Sequence, residues 1–131
     1  MKKVIALTLA LTAPAAHSAI GVQGLIDKTV ATGDISYGVQ ALARCSALFY
    51  VVGNYVPEFK AHGDKMLSWA HAGHMKKYDK PLPESMVVRY ATSYNNAMLQ
   101  SQDETGDLWP EGGATANDLQ TCKAFLSHVE S

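Results

Sequence analysis

The sequence is poor in cysteine, in positive charge and in the short motifs that mark enzymes, and each shortage excludes a class of function. Only two cysteines occur in 131 residues, Cys45 and Cys122. Their separation excludes the Cys-x-x-Cys spacing of a reactive redox pair, and no Cys-x-x-Cys-His is present to attach a haem. With two cysteines only one internal connectivity exists, and we predict a structural disulfide between them.

Positive charge is scarce as well. The chain has 11 lysines and arginines against 12 aspartates and glutamates, and two of those lysines, Lys2 and Lys3, lie at the amino terminus. Nucleic-acid binding normally needs a clustered positive face that displaces counterions from the phosphate backbone. Nucleic acid is therefore disfavoured as a partner.

Short catalytic sequence motifs are also missing. The sequence has no Gly-x-Ser-x-Gly, no Ser-x-x-Lys, no His-Glu-x-x-His and no glycine-rich loop that would hold a phosphate. Ser68 lies three residues before His71, but a helical pair of this kind lacks the backbone oxyanion donors that acyl transfer requires. We predict that the chain is not an enzyme.

The amino-terminal residues have the three parts of a secretory signal peptide. Lys2 and Lys3 are followed by an apolar run over residues 4–13 and then by mostly small residues up to Ala19. The apolar run is about half as long as the roughly twenty residues that a bilayer span needs. We predict a signal peptide at 1–18, cut after Ser18 or after Ala19, and a single helical domain at 19–131 in the periplasm or outside the cell. The disulfide can close in such an oxidising compartment.

Apolar residues recur at steps of three and four along most of the predicted mature chain, which is the periodicity of amphipathic helices. Residues 20–33 form a glycine-punctuated lead-in whose structure the pattern leaves open. Asp34 is a candidate N-cap for a first long helix that runs to about Tyr55. This helix is apolar over more than half of its surface, so we expect it to lie centrally. Arg44 and Asn54 interrupt it, which argues against a membrane span.

Three more helices follow from the same periodicity. They are predicted from Pro57 to about Asp79, from Glu84 to about Gln102, and from a capping box of Thr115 and Asp118 to the end of the chain. A polar surface loop is expected over 103–113. The sequence therefore predicts an all-α fold, a small antiparallel bundle of about four helices, in which the disulfide ties the first long helix to the last.

One cluster of side chains suggests metal handling. His71, His74 and Met75 lie within five residues, and steps of three and four place them on one helical face. Imidazole and thioether together suit copper, or zinc, better than they suit magnesium or calcium. A ligand from another helix would have to complete the site, with Met86, Met98 and His128 as candidates. The alternative interpretation is that these histidines face solvent or bond to a neighbouring helix, in which case no cofactor is bound.

The second candidate site is the loop that contains Leu108, Trp109 and Glu111. Tryptophan is enriched among the residues that dominate interface energy, so this loop could present an aromatic anchor to a protein partner. The alternative is that Trp109 folds back onto the open end of the bundle. The six tyrosines leave a similar choice, because a tyrosine-rich helical core can line a ligand pocket or simply pack.

Residues 121–126, Thr-Cys-Lys-Ala-Phe-Leu, resemble the cysteine-bearing helix of small periplasmic acid-stress chaperones, which are also helical, exported and held by one disulfide. The resemblance covers six residues, and no functional residue is carried over from it. Our leading hypothesis is a non-enzymatic, exported helical protein that binds an unknown protein or small-molecule ligand. The alternatives are a periplasmic copper or zinc binding protein and an acid-stress chaperone.

Overall fold

The computed structural model describes residues 20–130, and this part of the chain contains five α-helices and no strand. The helices are α1 (Val22–Thr32), α2 (Ile35–Val52), α3 (Phe59–Tyr78), α4 (Glu84–Thr105) and α5 (Ala114–Glu130). The predicted signal peptide and both candidate cleavage sites lie outside the described residues. The prediction of an all-α fold is confirmed, and the lead-in whose structure the pattern left open forms the short helix α1.

The helix ends follow from local side-chain chemistry. The carboxylate of Asp34 accepts a hydrogen bond from the backbone N–H of Ser36 at 2.9 Å, which confirms Asp34 as the N-cap of α2. Helices α1 and α4 end at Gly33 and Gly106, whose φ angles of 73° and 81° lie in the left-handed region that glycine adopts without strain. Asp79 is the C-cap of α3 and has the same left-handed conformation. Helix α3 therefore ends where the sequence predicts.

Several predicted boundaries are displaced, and α2 ends at Val52 rather than at about Tyr55. Helix α4 continues to Thr105, because Gly106 rather than the preceding acidic residues provides the left-handed stop. The capping box at the start of α5 is also wrong, since the helix begins at Ala114 and the backbone N–H of Asn117 bonds to the carbonyl of Gly113 at 3.0 Å. The carboxylate of Asp118 is directed to another helix instead, as described below.

Helix α2 lies at the centre of the bundle, as its apolar surface predicts. It contacts each of the other four helices, and ten of its 18 residues are buried. By length and by its mean hydropathy of 1.3 alone it would also pass as a membrane span, and more than half of it, 56%, is buried inside the fold. A buried core helix meets the same criterion, so the packing explains this composition.

The disulfide joins Cys45 of α2 to Cys122 of α5 with 5.4 Å between the two Cα atoms. Both cysteines are completely buried. The predicted pairing and the two helices that it connects are confirmed. The bridge therefore fixes the last helix against the central one.

Close packing between α2 and α3 leads to a first prediction, which concerns two helical glycines. A Cβ at Gly63 would lie 2.9 Å from the ring of Tyr50, whose hydroxyl is held by Asp64. A Cβ at Gly38 would meet only Thr29, at 3.4 Å. We expect Gly63→Ala to be destabilising, because overpacking costs about 1–3 kcal/mol, and Gly38→Ala to gain up to about 1 kcal/mol of helix propensity. Urea unfolding of both variants checks the contrast, and equal effects would contradict it.

Candidate ligand-binding site

An open cleft of about 950 Å³ is bounded by α1, α2, α4 and α5. Each helix contributes polar side chains to a lining that is otherwise built from small and apolar residues. The aromatic and charged lining residues are Tyr37, Tyr90, Tyr94, Lys28, Arg44 and Asp118, and the amides are Gln23, Gln40 and Asn117.

The floor of this cleft is an ion pair between Arg44 of α2 and Asp118 of α5. Nη2 of Arg44 lies 3.3 Å from Oδ2 of Asp118, and the two side chains are 18% and 11% exposed. The other guanidinium nitrogen, Nη1, donates to the carbonyl of Ile20 at 2.7 Å. Arg44 thus bonds to α5 and to the residues that precede α1.

The Asp118 carboxylate has a second structural role, because it caps helix α1. Its Oδ1 accepts a hydrogen bond from the backbone N–H of Val22 at 3.1 Å, which satisfies one of the donors left free at a helix N-terminus. A Cβ on Gly21 would lie only 2.7 Å from the same oxygen. Glycine at this position therefore lets the start of α1 approach the ion pair.

Tyr94 of α4 completes the network. Its hydroxyl donates to Oδ2 of Asp118 at 2.7 Å, and the residue is buried. Burial in this environment raises the pKa of the Tyr94 hydroxyl above its ordinary value of 10, and the negative charge of Asp118 raises the pKa further. Tyr94 therefore stays protonated at neutral pH and acts as a hydrogen-bond donor, not as a base.

A raised pKa predicts how stability depends on pH. Below about pH 10 the hydroxyl is protonated in the folded and the unfolded chain, so its contribution to stability is fully present. Above that pH the unfolded chain ionises first, and stability falls by up to about 1.4 kcal/mol for each pH unit until the folded hydroxyl ionises too. Urea unfolding at alkaline pH should show a shallower loss in Tyr94→Phe than in the unaltered chain. Parallel pH profiles would contradict this prediction.

Two cations in the cleft lie over tyrosine rings. The guanidinium carbon of Arg44 is 5.7 Å from the ring centroid of Tyr90 and 5.8 Å from that of Tyr94, and Nζ of Lys28 is 5.4 Å from the centroid of Tyr37. These distances are within the range of cation–π attraction. The charge of Arg44 is balanced by Asp118, so Lys28 gives the cleft a net positive charge.

The cleft can therefore bind, but its titratable groups are already engaged with each other. The Nε of Arg44 is buried without a hydrogen-bond partner, while the rest of its guanidinium is bonded to Ile20 and Asp118. Aromatic faces, side-chain amides and one unbalanced ammonium group remain for a ligand. This chemistry suits a planar organic group that carries a negative charge.

The structure does not bring all of the predicted metal ligands together at one site. His71 and Met75 are exposed, whereas His74 is buried with its Nδ1 2.7 Å from the carbonyl oxygen of Lys80 and its ring 4.6 Å from that of Tyr78. Met86, one of the residues expected to complete the site, lines a small cavity together with His74. Within residues 20–130 no group of three or more His, Cys, Asp or Glu side chains is placed to hold a metal ion. Copper or zinc binding stays a prediction.

The predicted partner loop packs partly against the bundle. Trp109 is half-buried, and its ring meets that of Tyr55 edge to face with 6.2 Å between the centroids. Leu108 also packs against the core, while Glu111 is exposed. The tryptophan thus folds back onto one end of the bundle, and binding of a protein partner at this loop stays a prediction.

Sequence reasoning missed the two central residues of the cleft. The sequence pattern marks Arg44 as an interruption of an apolar helix and Asp118 as part of a local cap. A usable signal was nevertheless present, because a charged side chain in the middle of a buried helix needs an oppositely charged partner elsewhere in the chain. The sequence alone does not say which of the acidic residues is that partner.

Comparison with protein-family models, with curated proteins and with solved structures finds no match to this chain. The acid-stress chaperone interpretation, which rests on residues 121–126, therefore gains no support from relatives and stays a prediction.

Proposed function

We propose that this chain is a non-enzymatic, exported binding protein whose ligand is a small organic anion with a planar group, held in the cleft above Arg44 and Asp118. The observation that carries the proposal is the cleft itself, about 950 Å³ in volume and lined by three tyrosines and two cations. Small-molecule sites typically occupy about 300–1,000 Å³, with a few placed polar groups in an otherwise apolar or aromatic wall.

The arrangement of the cations supports an anionic ligand. Arg44 is held in place by Ile20 and Asp118, so its guanidinium is a fixed part of the wall. Lys28 is exposed and has no acidic partner among the residues that line the cleft other than Asp118, which Arg44 already neutralises. A carboxylate that enters beside Tyr37 would meet this ammonium group, and its planar part would lie among the tyrosine rings.

The fold supports binding rather than chemistry. The disulfide and the Arg44–Asp118 network connect the helices that form the walls, and a preorganised cleft loses less entropy when a ligand is bound. The hydroxyl of Tyr94 and the carboxylate of Asp118 are committed to each other. A scaffold of this kind is suited to capture and release a molecule unchanged.

The test uses a matched pair of probes, benzoate and benzamide, which differ in charge but hardly in shape. We expect benzoate to shift the amide resonances around Tyr37 and Tyr90 in a nitrogen-15 NMR titration and to bind more tightly than benzamide. Lys28→Gln should weaken benzoate binding about two- to fivefold, the range of an exposed charge pair, and should leave benzamide unaffected.

Lys123→Gln is the control, because it removes the same charge from an exposed position on α5 that does not line the cleft. It should leave benzoate binding unchanged. Equal binding of both probes, or shifts that map away from the cleft, would overturn the proposal. Native mass spectrometry of protein from its natural compartment would then show the mass of the true ligand, together with signal removal and the disulfide.

A further inference from the structure

The chain enters helix α1 along the wall of the cleft. Ile20 and Gly21, the two residues before the helix, both line the cleft. Two hydrogen bonds hold this segment. The carbonyl of Ile20 accepts from Nη1 of Arg44 at 2.7 Å, and the backbone N–H of Val22 donates to Oδ1 of Asp118 at 3.1 Å. The ion pair on the floor of the cleft therefore also fixes the position of the segment that leads into α1.

The backbone nitrogen of Ile20 is consequently close to the floor of the cleft. Three bonds join the nitrogen and the carbonyl oxygen of one residue, which places them at most about 4 Å apart. The nitrogen of Ile20 thus lies within about 7 Å of Nη1 of Arg44. One more residue of chain adds at most about 4 Å. A charged group on this nitrogen, or one residue before it, would act on the cleft.

The two predicted cleavage sites would create such a group. Cleavage after Ala19 leaves a new α-amino group on Ile20, and cleavage after Ser18 leaves it one residue earlier. The pKa of an α-amino group is ordinarily about 8, so the group is mostly protonated at neutral pH and carries a positive charge.

We infer that removal of the signal peptide completes the cleft, because the new α-amino group on Ala19 or Ile20 supplies a further cation for the anionic ligand. This inference rests on the proposed function, whose anion site it extends. The charged and titratable side chains that line the cleft on the four helices are Lys28, Tyr37, Arg44, Tyr90, Tyr94 and Asp118. Arg44 and Asp118 neutralise each other, so the cleft offers the new charge no free acidic partner.

The experiment compares three forms of the disulfide-bonded mature chain. The first has its free α-amino group, and the second has that group acetylated. The third is extended by Gly-Ser-Gly-Ser, which lets the amino group move up to about 13 Å away, beyond the screening length of about 8 Å at physiological salt. We expect benzoate to bind the free form about two- to fivefold more tightly than the other two. Benzamide should bind all three forms equally.

The pH dependence of binding gives a second readout. The acetylated form shares every other titratable group with the free form, so the difference in benzoate affinity between them reports the α-amino group alone. This difference should be present at pH 7 and should disappear by about pH 9.5, where an α-amino group is neutral. A difference that stays constant over this range would come from the shape of the acetyl group and would overturn the inference.

The remaining outcomes separate this inference from the function on which it rests. If benzoate binds the free and acetylated forms equally, or binds the extended form undiminished, the α-amino group does not serve the cleft and the anion site stands. Mass spectrometry of the exported protein that shows a first residue other than Ala19 or Ile20 also overturns the inference. If benzoate binds none of the three forms, the proposed function itself is wrong.

Discussion

Replacing Asp118 by alanine is expected to lower the free energy of unfolding by about 3 kcal/mol, the lower part of the range for breaking a buried ion pair from one side. The variant leaves the Arg44 guanidinium, which is only 18% exposed, without its counter-charge. It also removes the acceptor for the N–H of Val22 and for the hydroxyl of Tyr94. Urea denaturation followed by circular dichroism measures the loss.

Two milder variants separate the parts of this effect. Asp118→Asn keeps an oxygen that can accept from Val22 but removes the charge, so its loss should lie between those of the alanine variant and the unaltered chain. Tyr94→Phe removes one hydrogen bond and should cost about 1 kcal/mol. A loss below about 1 kcal/mol for Asp118→Ala would mean that the pair is solvated in solution and is not the structural floor of the cleft.

Most of the fold could be predicted because helix formation leaves a local record in the sequence. Asp34 caps α2 and Asp79 ends α3, at the two boundaries that the sequence predicts. The disulfide was equally constrained, since two cysteines allow one pairing. The order and number of long helices then followed, and a bundle is the arrangement that buries one apolar face of each helix.

The cleft could not be predicted in the same way, because its central contacts join residues far apart in the sequence. Arg44 and Asp118 are separated by 74 positions, and the local sequence pattern around either residue does not indicate its partner. The pattern Thr115 to Asp118 fits a capping box, but the pattern cannot tell a local cap from a carboxylate that caps a different helix. The folded structure decides between these uses. The Asp118 carboxylate pairs with Arg44 and accepts hydrogen bonds from the backbone N–H of Val22 and the hydroxyl of Tyr94.

The two sites that local spacing did suggest show the same limit. His71 and His74 share a helical face by count, yet one is exposed and the other is buried against the carbonyl of Lys80. Spacing places side chains on a face but does not say what that face meets. Trp109 is likewise of a residue type that is enriched at interfaces, yet its ring packs partly onto Tyr55.

The covalent bridge and the ion pair form one connection between α2 and α5. Arg44 directly precedes Cys45, and Asp118 lies one helical turn before Cys122. Because the disulfide fixes the two helices 5.4 Å apart at their Cα atoms, it also fixes the distance over which Arg44 must reach Asp118. Loss of the bridge should therefore weaken the floor of the cleft as well as the fold.

Removing the disulfide is expected to cost about 2–5 kcal/mol of unfolding free energy, and the chain-entropy model gives about 4.5 kcal/mol for a loop of this length. The double variant Cys45→Ala/Cys122→Ala deletes the bridge and two buried sulfur atoms. The reduced, unaltered chain is the matched control, because it loses the covalent link but keeps both sulfurs.

Urea unfolding of the oxidised chain, the reduced chain and the double variant should rank them in that order of stability. The largest step should lie between the oxidised and reduced chains, because the link restrains the unfolded state whereas the sulfur atoms only fill space. Benzoate binding should weaken in both bridge-free forms, since Asp118 is then free to move away from Arg44. Reduced protein that matches the oxidised chain in stability and in benzoate affinity would show that packing alone positions α5.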